Sequence, residues 1–325
     1  MTDPDEDVDD EDVEIIDGSD GDEDDEADGT PTAGYDDAGV AVRDARGDDR
    51  DAVLAFASDT WEGWDYLPEV WRGWLDGDGD LLVAADLESD EPVGVCHLTT
   101  YLTGEAWLEG LRVHPDRRRD GVATALLDAA LDRARRDGAV TARCMTFDWN
   151  EPGVAFLDDA TDFERVASLR HGRGFGFPYG SKLEDATFDA SLDALRDTDA
   201  YEATDGLYAT PDWELLQLPD SVANFREGVE VLGWEQDDEI RAILVCTGTR
   251  TNTTGEEDRS ELVFGFVWVE HQYASQLALD VRGEARERNV QDALVFLPDE
   301  EDVVAAFEQA GFDLDGEDLV YERTL

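Results

Sequence analysis

A strand, a turn that contains arginine and glycine, and a helix follow one another from Leu108 onward, and this succession most constrains the fold. Beyond the turn, apolar residues recur at helical spacing and acidic and arginine residues take the opposite face. The apolar positions are Ala123, Leu126, Leu127, Ala130, Leu131 and Ala134. Gly138 stands where a helix commonly ends. The pattern predicts a strand that leads through Pro115 and Gly121 into an amphipathic helix.

The turn before this helix has the properties of an anion site. A helix N-terminus presents unpaired backbone N–H groups and the positive end of the helix dipole. Gly121 leaves the backbone open to phosphate oxygens, and Arg118 can add bidentate hydrogen bonds. These features predict a phosphate or diphosphate site. A surface loop whose arginines offset neighbouring carboxylates remains the alternative.

The residues of the turn also resemble a known family. Arg118-Arg119-Asp120-Gly121-Val122-Ala123 fits the pattern Arg/Gln-x-x-Gly-x-Gly/Ala of the GNAT superfamily of acyl-CoA-dependent N-acyltransferases, and Val113-His114-Pro115 is its usual lead-in. The resemblance implies acetyl-CoA as cosubstrate, with its pyrophosphate at this turn and its pantetheine arm along the strand through Val113. The implied cofactor-binding residues are Leu111, Arg112, Val113, Arg118, Arg119, Asp120, Gly121, Val122, Ala123 and Asn150.

The order of the remaining elements matches the same family. Residues 39 to about 180 read β-α-α-β-β-β-α-β-α-β, with Asn150 as the cap of a helix over 151–160. We expect the α/β (α+β) GNAT fold, a mixed central sheet flanked by helices, followed by a second, degenerate GNAT-like domain. The expected domains are a disordered acidic tail over 1–34, an N-acetyltransferase domain over 35–180 and the degenerate domain over 181–325.

The second half resembles a degenerate copy of the first. A helix over 273–288 leads into a strand at 292–297, and a closing strand is expected at 319–325. The segment 269–275 lacks glycine and arginine where the first copy has its loop, so phosphate binding is not expected there. A polar loop is predicted at 247–260, and a hairpin or interdomain turn at 171–180. This half is expected to buttress the first domain or to complete its substrate cleft.

Acyl transfer to an amine requires a neutral nucleophile, a polarised thioester carbonyl and a proton for the departing thiolate. No serine or cysteine stands in a nucleophile setting, so direct attack by the amine is favoured over an acyl-enzyme. Many GNAT enzymes place a general base where Glu109 stands, and His97 on the preceding strand could share its cleft. The alternatives are an outward-facing glutamate and a structural histidine. His114 is expected to cap backbone groups of the turn.

The general acid and the acceptor site are less well marked. GNAT enzymes often use a tyrosine where this chain has Asp158, so Tyr66, Tyr101, Tyr179 or solvent would protonate the thiolate. Trp64, Asp65 and Tyr66 stand where acceptor specificity is commonly built in this fold, with aromatic core packing as the alternative. Asp65-Tyr66-Leu67-Pro68, Trp74-Leu75 and Glu109-Gly110-Leu111-Arg112-Val113 resemble the vertebrate histidine N-acetyltransferase group and its prokaryotic relatives.

Composition limits where such a protein works and what it binds. The 325 residues carry a net charge of −58, and Lys182 is the single lysine. This haloarchaeal type of composition favours a concentrated-salt cytoplasm, because high salt screens the self-repulsion of the surface. Nucleic acid and anionic membranes would be repelled. Cys96, Cys144 and Cys246 are scattered in apolar strands, which indicates free structural thiols, with no disulfide framework and no metal site. Neither a signal peptide nor a membrane span is expected.

Taken together, the sequence predicts a halophilic cytoplasmic transferase, a monomer or homodimer, that acetylates an amine. A small-molecule acceptor such as an amino acid is favoured over a protein tail. A non-catalytic acyl-CoA sensor or interaction module is the first alternative. A nucleotide-binding regulator that uses Arg117–Arg119 is the second.

Overall fold

The computed structural model describes the greater part of the chain. The described residues are 33–58, 60, 65–182, 184–185, 194–219, 228–236, 239–253 and 257–325. Within them, contacts join the chain from Pro31 to Leu325 into one compact unit. The predicted acidic tail lies outside the described residues, apart from its last positions. No helix in the described ranges is both long and apolar enough to cross a membrane.

The helices at 122–136, 151–160 and 274–287 lie close to predicted positions, whereas the short helix at 199–203 was not predicted. The helices are α1 (Arg50–Ala57), α2 (Leu67–Asp76), α3 (Val122–Arg136), α4 (Glu151–Ala160), α5 (Asp199–Ala203), α6 (Ala274–Glu287) and α7 (Glu301–Gln309). Pro68 occupies the first turn of α2, where a missing N–H costs nothing. The Asn150 side chain accepts a hydrogen bond from the Gly153 N–H at 3.4 Å, so the predicted cap of α4 is confirmed.

The strands build one large sheet and one small hairpin. They are β1 (Ala33–Tyr35), β2 (Val40–Asp44), β3 (Asp80–Asp86), β4 (Pro92–Thr100), β5 (Glu105–Val113), β6 (Thr141–Phe147), β7 (Glu164–Phe175), β8 (Glu184–Asp185), β9 (Leu207–Ala209), β10 (Leu215–Gln217), β11 (Glu230–Gln236), β12 (Glu239–Asn252), β13 (Arg259–Val269), β14 (Asp292–Pro298) and β15 (Phe312–Thr324). β9 and β10 form a separate antiparallel pair.

The large sheet runs through both halves of the chain. In the described part of the chain, its 13 strands follow the order β1-β2-β3-β4-β5-β6-β15-β7-β14-β13-β12-β11-β8. The last strand, β15, therefore lies between β6 and β7 of the first half and pairs antiparallel with both. β7 in turn pairs with β14 of the second half. The two halves thus share the strands at the centre of the sheet.

Helices cover both faces of this sheet. In the first half, α3 packs on one face through Leu126 and Leu131, and α1 and α2 pack on the other through Val53 and Trp71. In the second half, α6 and α7 cover the α3 side of the equivalent strands. The β9–β10 hairpin covers the centre of the opposite face, over Trp107 and neighbouring apolar residues. The uncovered space between α2 and this hairpin is where the candidate site lies.

Three boundaries predicted from sequence are wrong. Residues 171–175 continue β7 because β14 and β15 pair with them, so no hairpin begins at His171. The predicted loop at 247–260 is shorter, since β12 runs to Asn252 beside β13. The closing strand begins at Phe312 instead of Leu319, because β7 offers it a partner from Gly174 onward.

Candidate active site

Two parallel strands separate in the first half and open a gap through the sheet. β5 and β6 pair from Glu105 with Thr141 to Leu108 with Cys144, and the pairing ends there. Immediately beyond, the register of β4 and β5 shifts, and Gly110 adopts the left-handed φ of +68°. A Cβ at Gly110 would lie 2.6 Å from the Trp74 ring, so glycine is required by both backbone and packing.

A cavity of about 1580 Å³ extends through this gap and is lined from both faces of the sheet. Leu127 of α3 and Phe156 of α4 line one end, while Tyr66 of α2 and Trp213 beside β10 line the other. Ligand sites in proteins commonly have ~300–1,000 Å³. The cavity is therefore large enough for an extended cosubstrate on one face and an acceptor on the other.

Glu109 stands at the point where β5 leaves β6 and lines the cavity. Its side chain is 21% exposed. Burial raises the pKa of the Glu109 carboxyl, and Glu214 and Asp212 raise it further, whereas the hydrogen bond with His97 lowers it. A carboxylate with a raised pKa that faces a cavity has the properties of a general base. The structure thus places Glu109 inside the cleft and not on the outer surface.

His97 lies beside Glu109 across the β4–β5 ladder. Its Nδ1 is 3.2 Å from Oε1 of Glu109, and its ring stacks on Trp74 with centroids 4.4 Å apart. The residue is only 5% exposed, and a Cβ on Gly79 would lie 2.5 Å from Nε2. Because Nε2 faces the backbone at Gly79, the ring is placed to orient Glu109 more readily than to take a proton from an acceptor.

The predicted acceptor residues at the start of α2 have different surroundings. Tyr66 lines the cavity, and burial raises its pKa to about 12. The Arg112 guanidinium lies 5.3 Å from the Tyr66 ring centroid. Asp65 is buried, accepts a hydrogen bond from the Leu67 N–H at 2.9 Å and pairs with Arg112 Nε at 2.8 Å. These contacts give Asp65 a structural task. Trp64 lies outside the described residues.

The other two tyrosines considered as general acid, Tyr101 and Tyr179, differ in their position relative to the cavity. Tyr101 lines the cavity, whereas Tyr179 accepts a hydrogen bond from Gln276 of α6 at 2.6 Å and does not line it. Asp158 is exposed on α4 and accepts a hydrogen bond from the Tyr321 hydroxyl at 2.8 Å. Tyr321 belongs to β15, so a phenol of the second half contacts Asp158, and neither residue lines the cavity. This pairing could not be predicted from the sequence, because the insertion of β15 between β6 and β7 has no local signature.

The arginine- and glycine-containing turn begins α3, as predicted. Gly121 has φ +86° and Arg119 has φ +70°, both left-handed. Arg118 and Arg119 are exposed, while Arg117 is bound to Asp86 at 2.6 Å and to the Ala38 carbonyl at 2.9 Å. Of the three arginines, Arg117 therefore has a structural role, and Arg118 and Arg119 are placed to meet an anion. The His114 ring accepts a hydrogen bond from the Asp116 N–H at 3.2 Å, which confirms its role as a cap.

The remaining implied cofactor residues divide between cavity and core. Leu111, Arg112 and Asn150 line the cavity, whereas Val113 packs against the core under α3. Asp120, Val122 and Ala123 lie in the turn and the first turn of α3. The Asn150 amide also donates a hydrogen bond to the Thr146 hydroxyl at 2.9 Å.

The cysteines are poorly suited to nucleophilic attack. All three are free thiols, with Cys96 and Cys246 buried. Burial raises the pKa of Cys96 to about 12 and that of Cys246 to about 11, and it raises the pKa of Cys144 as well. A protonated thiol is a weak nucleophile at neutral pH. The prediction of direct attack by the amine stays consistent with these surroundings.

The second half has a matching strand arrangement without a matching cleft. β13 and β14 pair in parallel from Glu261 to Phe264, as β5 and β6 do from Glu105 to Leu108, so Gly265 stands where the first half has Glu109. A Cβ at Gly265 would lie 1.9 Å from the Ala209 carbonyl oxygen. The backbone of β9 thus occupies the position that is open in the first half, and no carboxylate is present there.

Three side chains that line the cavity were not predicted from the sequence. Trp213, Arg250 and Arg173 line it opposite α2. Arg173 lies in the stretch predicted as a turn, and Arg250 in the stretch predicted as a loop. No local motif marks them, because their proximity depends on the shared central strands.

The chain was compared with known proteins. No curated protein matches it. It is similar to a solved GCN5-related N-acetyltransferase from Sphaerobacter thermophilus, with 15% identity, a TM-score of 0.52 and coverage of 88% of this chain and 95% of the other. A putative acetyltransferase from Thermoplasma acidophilum gives 15% identity, a TM-score of 0.50 and coverage of 91% and 98%.

A third solved structure contains a GCN5-related glucosamine N-acetyltransferase region of a fungal multi-domain β-N-acetylglucosaminidase. It gives 16% identity, a TM-score of 0.53 and coverage of 87% of this chain and 38% of the other. These likenesses confirm the predicted GNAT fold, with its mixed sheet, flanking helices and additional C-terminal strands. Residues 50–160 match the model of the Acetyltransferase (GNAT) family, whose members use acetyl-CoA as cosubstrate.

Proposed function

We propose that this protein transfers the acetyl group of acetyl-CoA to the amino group of a small molecule by direct attack of the amine on the thioester. The observation that carries the proposal is the position of Glu109. Its carboxylate lies in a cavity that opens on both faces of the sheet, at the point where β5 and β6 separate. A cosubstrate from the α3 face and an acceptor from the α2 face would meet beside it.

Glu109 would act on the amine before or during attack. Its carboxylate accepts a proton from the ammonium or amine, the amine nitrogen forms a bond to the carbonyl carbon, and the carbon–sulfur bond then breaks. The products are the N-acetylated acceptor and the coenzyme A thiolate, which takes up a proton. A base placed in this way contributes typically ~10²–10⁴-fold to the rate.

Tyr66 is the candidate partner of the departing thiolate. Its pKa of about 12 keeps the phenol protonated at neutral pH. A thiol has an ordinary pKa near ~8.5, so the phenol is the weaker acid and full proton transfer from it would be unfavourable. We therefore assign Tyr66 a hydrogen bond to the developing thiolate, with the final proton supplied by solvent.

The acceptor is proposed to be a small amine. Aromatic side chains line the cleft between α2 and the β9–β10 hairpin, among them Tyr66, Trp74 and Trp213. Such bulky walls support a small acceptor over an extended protein tail. The resemblance to the histidine N-acetyltransferase group makes amino acids, histidine among them, the first acceptors to test. Free thiols at Cys96, Cys144 and Cys246 suit a reducing cytoplasm.

The test is a panel of amines with acetyl-CoA in molar KCl. Free coenzyme A would be measured as released thiol, and the product would be identified by its mass. We expect at least one small amine to release thiol in step with formation of its N-acetyl derivative. Binding of acetyl-CoA without amine-dependent thiol release would contradict the proposal.

One observation favours a non-catalytic acyl-CoA sensor as the second candidate. Asp158 replaces the tyrosine that many relatives use, and the Tyr321 phenol that reaches it is 1% exposed and does not line the cavity. A sensor would bind coenzyme A and leave every amine in the panel unchanged. The same panel therefore separates the two functions.

A further inference from the structure

Two arginines, one from the first half and one from the second, lie on the acceptor side of the cavity. Arg173 extends from β7 and Arg250 from β12, and both line the cavity. Their guanidinium carbons lie 5.8 and 5.6 Å from the ring centroid of the same side chain, Trp213. In a chain with a net charge of −58, two adjacent cations at a cavity wall require an explanation.

The two cations share one buried carboxylate. Glu261 has no exposed side-chain surface, accepts a hydrogen bond from Arg173 Nε at 2.6 Å, and lies 3.4 Å from Arg250 Nε without hydrogen-bond geometry. Asn252 donates to the same carboxylate at 2.8 Å. Glu261 therefore holds Arg173 by a hydrogen bond, whereas Arg250 has no hydrogen-bonded carboxylate among the described residues. Asp212 and Glu69 act on the charge of Arg250 without a hydrogen bond.

Arg250 also has an unused hydrogen-bond donor. Its Nε is buried and has no hydrogen-bond partner among the described residues, while its Nη1 donates to the Pro211 carbonyl at 3.3 Å. Buried donors are rarely left unpaired in native proteins, because the lost hydration is not otherwise recovered. This Nε lies beside Oε2 of Glu261, which also lacks a hydrogen-bond partner among the described residues, so Arg250 is incompletely paired by the protein.

Trp213 is held in position by a strained turn. Its φ is +70°, in the left-handed region that a tryptophan rarely adopts. The Trp213 N–H donates to the Thr210 carbonyl at 3.0 Å, and the ring packs edge-on against His171 and Phe296. Strain of this kind is commonly retained at binding sites. Here it fixes the aromatic surface along which the two guanidinium groups lie.

The geometry points to a binding site for the carboxylate group of the acceptor, formed by Arg250 and Arg173 on the Trp213 ring, so that the substrate class is an amino carboxylic acid. This inference rests on the proposed function, since it places the acceptor's amino group near Glu109. Arginine binds carboxylates through paired, charge-assisted hydrogen bonds. One bound carboxylate would supply the hydrogen-bonded partner that Glu261 gives to Arg173 and not to Arg250.

The other charges of the cleft fit the opposite end of such a molecule. Asp212 and Glu214 flank Trp213 and line the same cavity as Glu109, and their charges raise the pKa of the Glu109 carboxyl. Asp212 also acts on the charge of Arg250. Carboxylates near Glu109 attract an ammonium group, and the arginines beyond them attract a carboxylate. A zwitterion matches both.

The wild-type protein allows the first test. Amino acids and their carboxamides would be compared in molar KCl with acetyl-CoA, at equal concentrations of the unprotonated amine because amidation lowers the amine pKa. We expect kcat/KM for the free acids to exceed that for the amides at least tenfold. Equal or faster acetylation of the amides would overturn the carboxylate site.

Substitution at the site supplies the second test. Arg250→Gln is expected to raise KM at least tenfold for the acid and to leave the amide unchanged, and Arg250→Lys, which keeps the charge, should fall between. Arg135→Gln is the matched control, since Arg135 is 40% exposed and pairs only with Asp132 among the described residues. An equal loss for acid and amide in Arg250→Gln would contradict the inference.

A binding measurement separates failure of this inference from failure of the proposed function. N-acetyl amino acids and their carboxamides would be compared by the shift in Tm that they cause in the full chain. Protection by the acids alone, lost in Arg250→Gln, supports the site even if no amine is acetylated. Absence of this difference overturns the site, and the amine panel then decides the proposed function alone.

Discussion

At the scale of single residues, the proposed acetyl transfer depends on the carboxylate of Glu109, whose pKa is raised by some neighbours and lowered by another. Burial and the neighbouring carboxylates raise the pKa of Glu109, and the His97 hydrogen bond lowers it. A group of this kind accepts protons readily once the pH exceeds its raised pKa. Below that pH it is protonated and cannot serve as the base.

We predict that kcat/KM falls on the acidic side of its pH profile as Glu109 becomes protonated. Glu109→Gln should lower kcat by about 10²–10³-fold, leave acetyl-CoA binding intact and remove this limb. His97→Phe keeps a ring against Trp74 but removes the hydrogen bond, so the limb should move to higher pH. Steady-state rates across pH test both expectations.

Glu88→Gln is the matched control for these variants, because Glu88 is an exposed residue of the β3–β4 turn. Its profile should coincide with that of the wild type. An acidic limb that persists in Glu109→Gln would assign the titration to another group, and unchanged turnover in this variant would remove Glu109 from the mechanism.

At the scale of elements, the N-terminus of α3 is where the anion site depends on backbone conformation. Gly121 has φ +86°, and among the described residues a Cβ there would meet only the Ala38 Cβ, at 3.5 Å. Space is therefore available for a side chain, but the left-handed conformation costs any other residue about 1–2 kcal/mol. A substituent would also stand beside the N–H groups that are expected to hold the diphosphate.

We predict that Gly121→Asp raises the Kd for coenzyme A at least tenfold more than Gly121→Ala does, because the added carboxylate repels the diphosphate. Gly138→Asp is the control at the other end of α3, where φ is +93° and no atom lies within 4 Å of a Cβ. It should lose similar stability and keep coenzyme A binding. Calorimetric titration in molar KCl provides the measurement. Equal binding by both Gly121 variants would place the diphosphate elsewhere.

The exchange of β15 is the element that joins the two halves. Phe312 pairs with Gly174, so β15 begins where β7 ends and then runs back between β7 and β6. Without this strand, β6 and β7 would each have an unpaired edge. The core that includes α3 would also lose the buried side chains of Leu319 and Tyr321.

We predict that a fragment of residues 1–182 does not unfold cooperatively. A second fragment, 1–176 joined through a short Asn-Gly turn to 311–325, restores β15 as a hairpin with β7 and should unfold cooperatively, at a lower Tm than the full chain. Circular dichroism melts in 2 M KCl distinguish them. Identical melts for the two fragments would show that β15 is dispensable to the first half.

Local sequence patterns predicted most elements, because periodicity and caps are local properties. The helix after Gly121, the cap at Asn150 and the neighbouring positions of His97 and Glu109 all follow from residues close together in the chain. The strand exchange could not be predicted, since β15 pairs with strands far away in sequence. For the same reason the site predicted from the sequence lacked Arg173 and Arg250. No residue near either arginine in the chain indicates that both line the same cavity as Glu109.

At the scale of the whole molecule, surface charge decides the conditions under which the fold persists. A net charge of −58 on 325 residues produces strong self-repulsion in dilute buffer. In ~1 M salt the Debye length falls to about 3 Å, so most of this repulsion is screened. The buried ion pairs of the cleft are screened much less.

We predict that the Tm rises steeply with KCl between 0.1 and 2 M, and that the protein loses cooperative structure at the low end of this range. Circular dichroism melts across the salt series test this, with coenzyme A binding measured in parallel. A Tm that does not depend on the KCl concentration would contradict the proposal that the protein is adapted to concentrated salt.

The central claim is that acetyl-CoA crosses the sheet where β5 and β6 separate and presents its thioester to Glu109. The most direct measurement is a crystal structure with acetyl-CoA bound in molar salt. We predict the diphosphate at the backbone N–H groups from Gly121 to Ala123 with Arg118 beside it, and the acetyl group in the cavity beside Glu109. Density for the cofactor outside this gap, or a gap closed by protein side chains, would contradict the account.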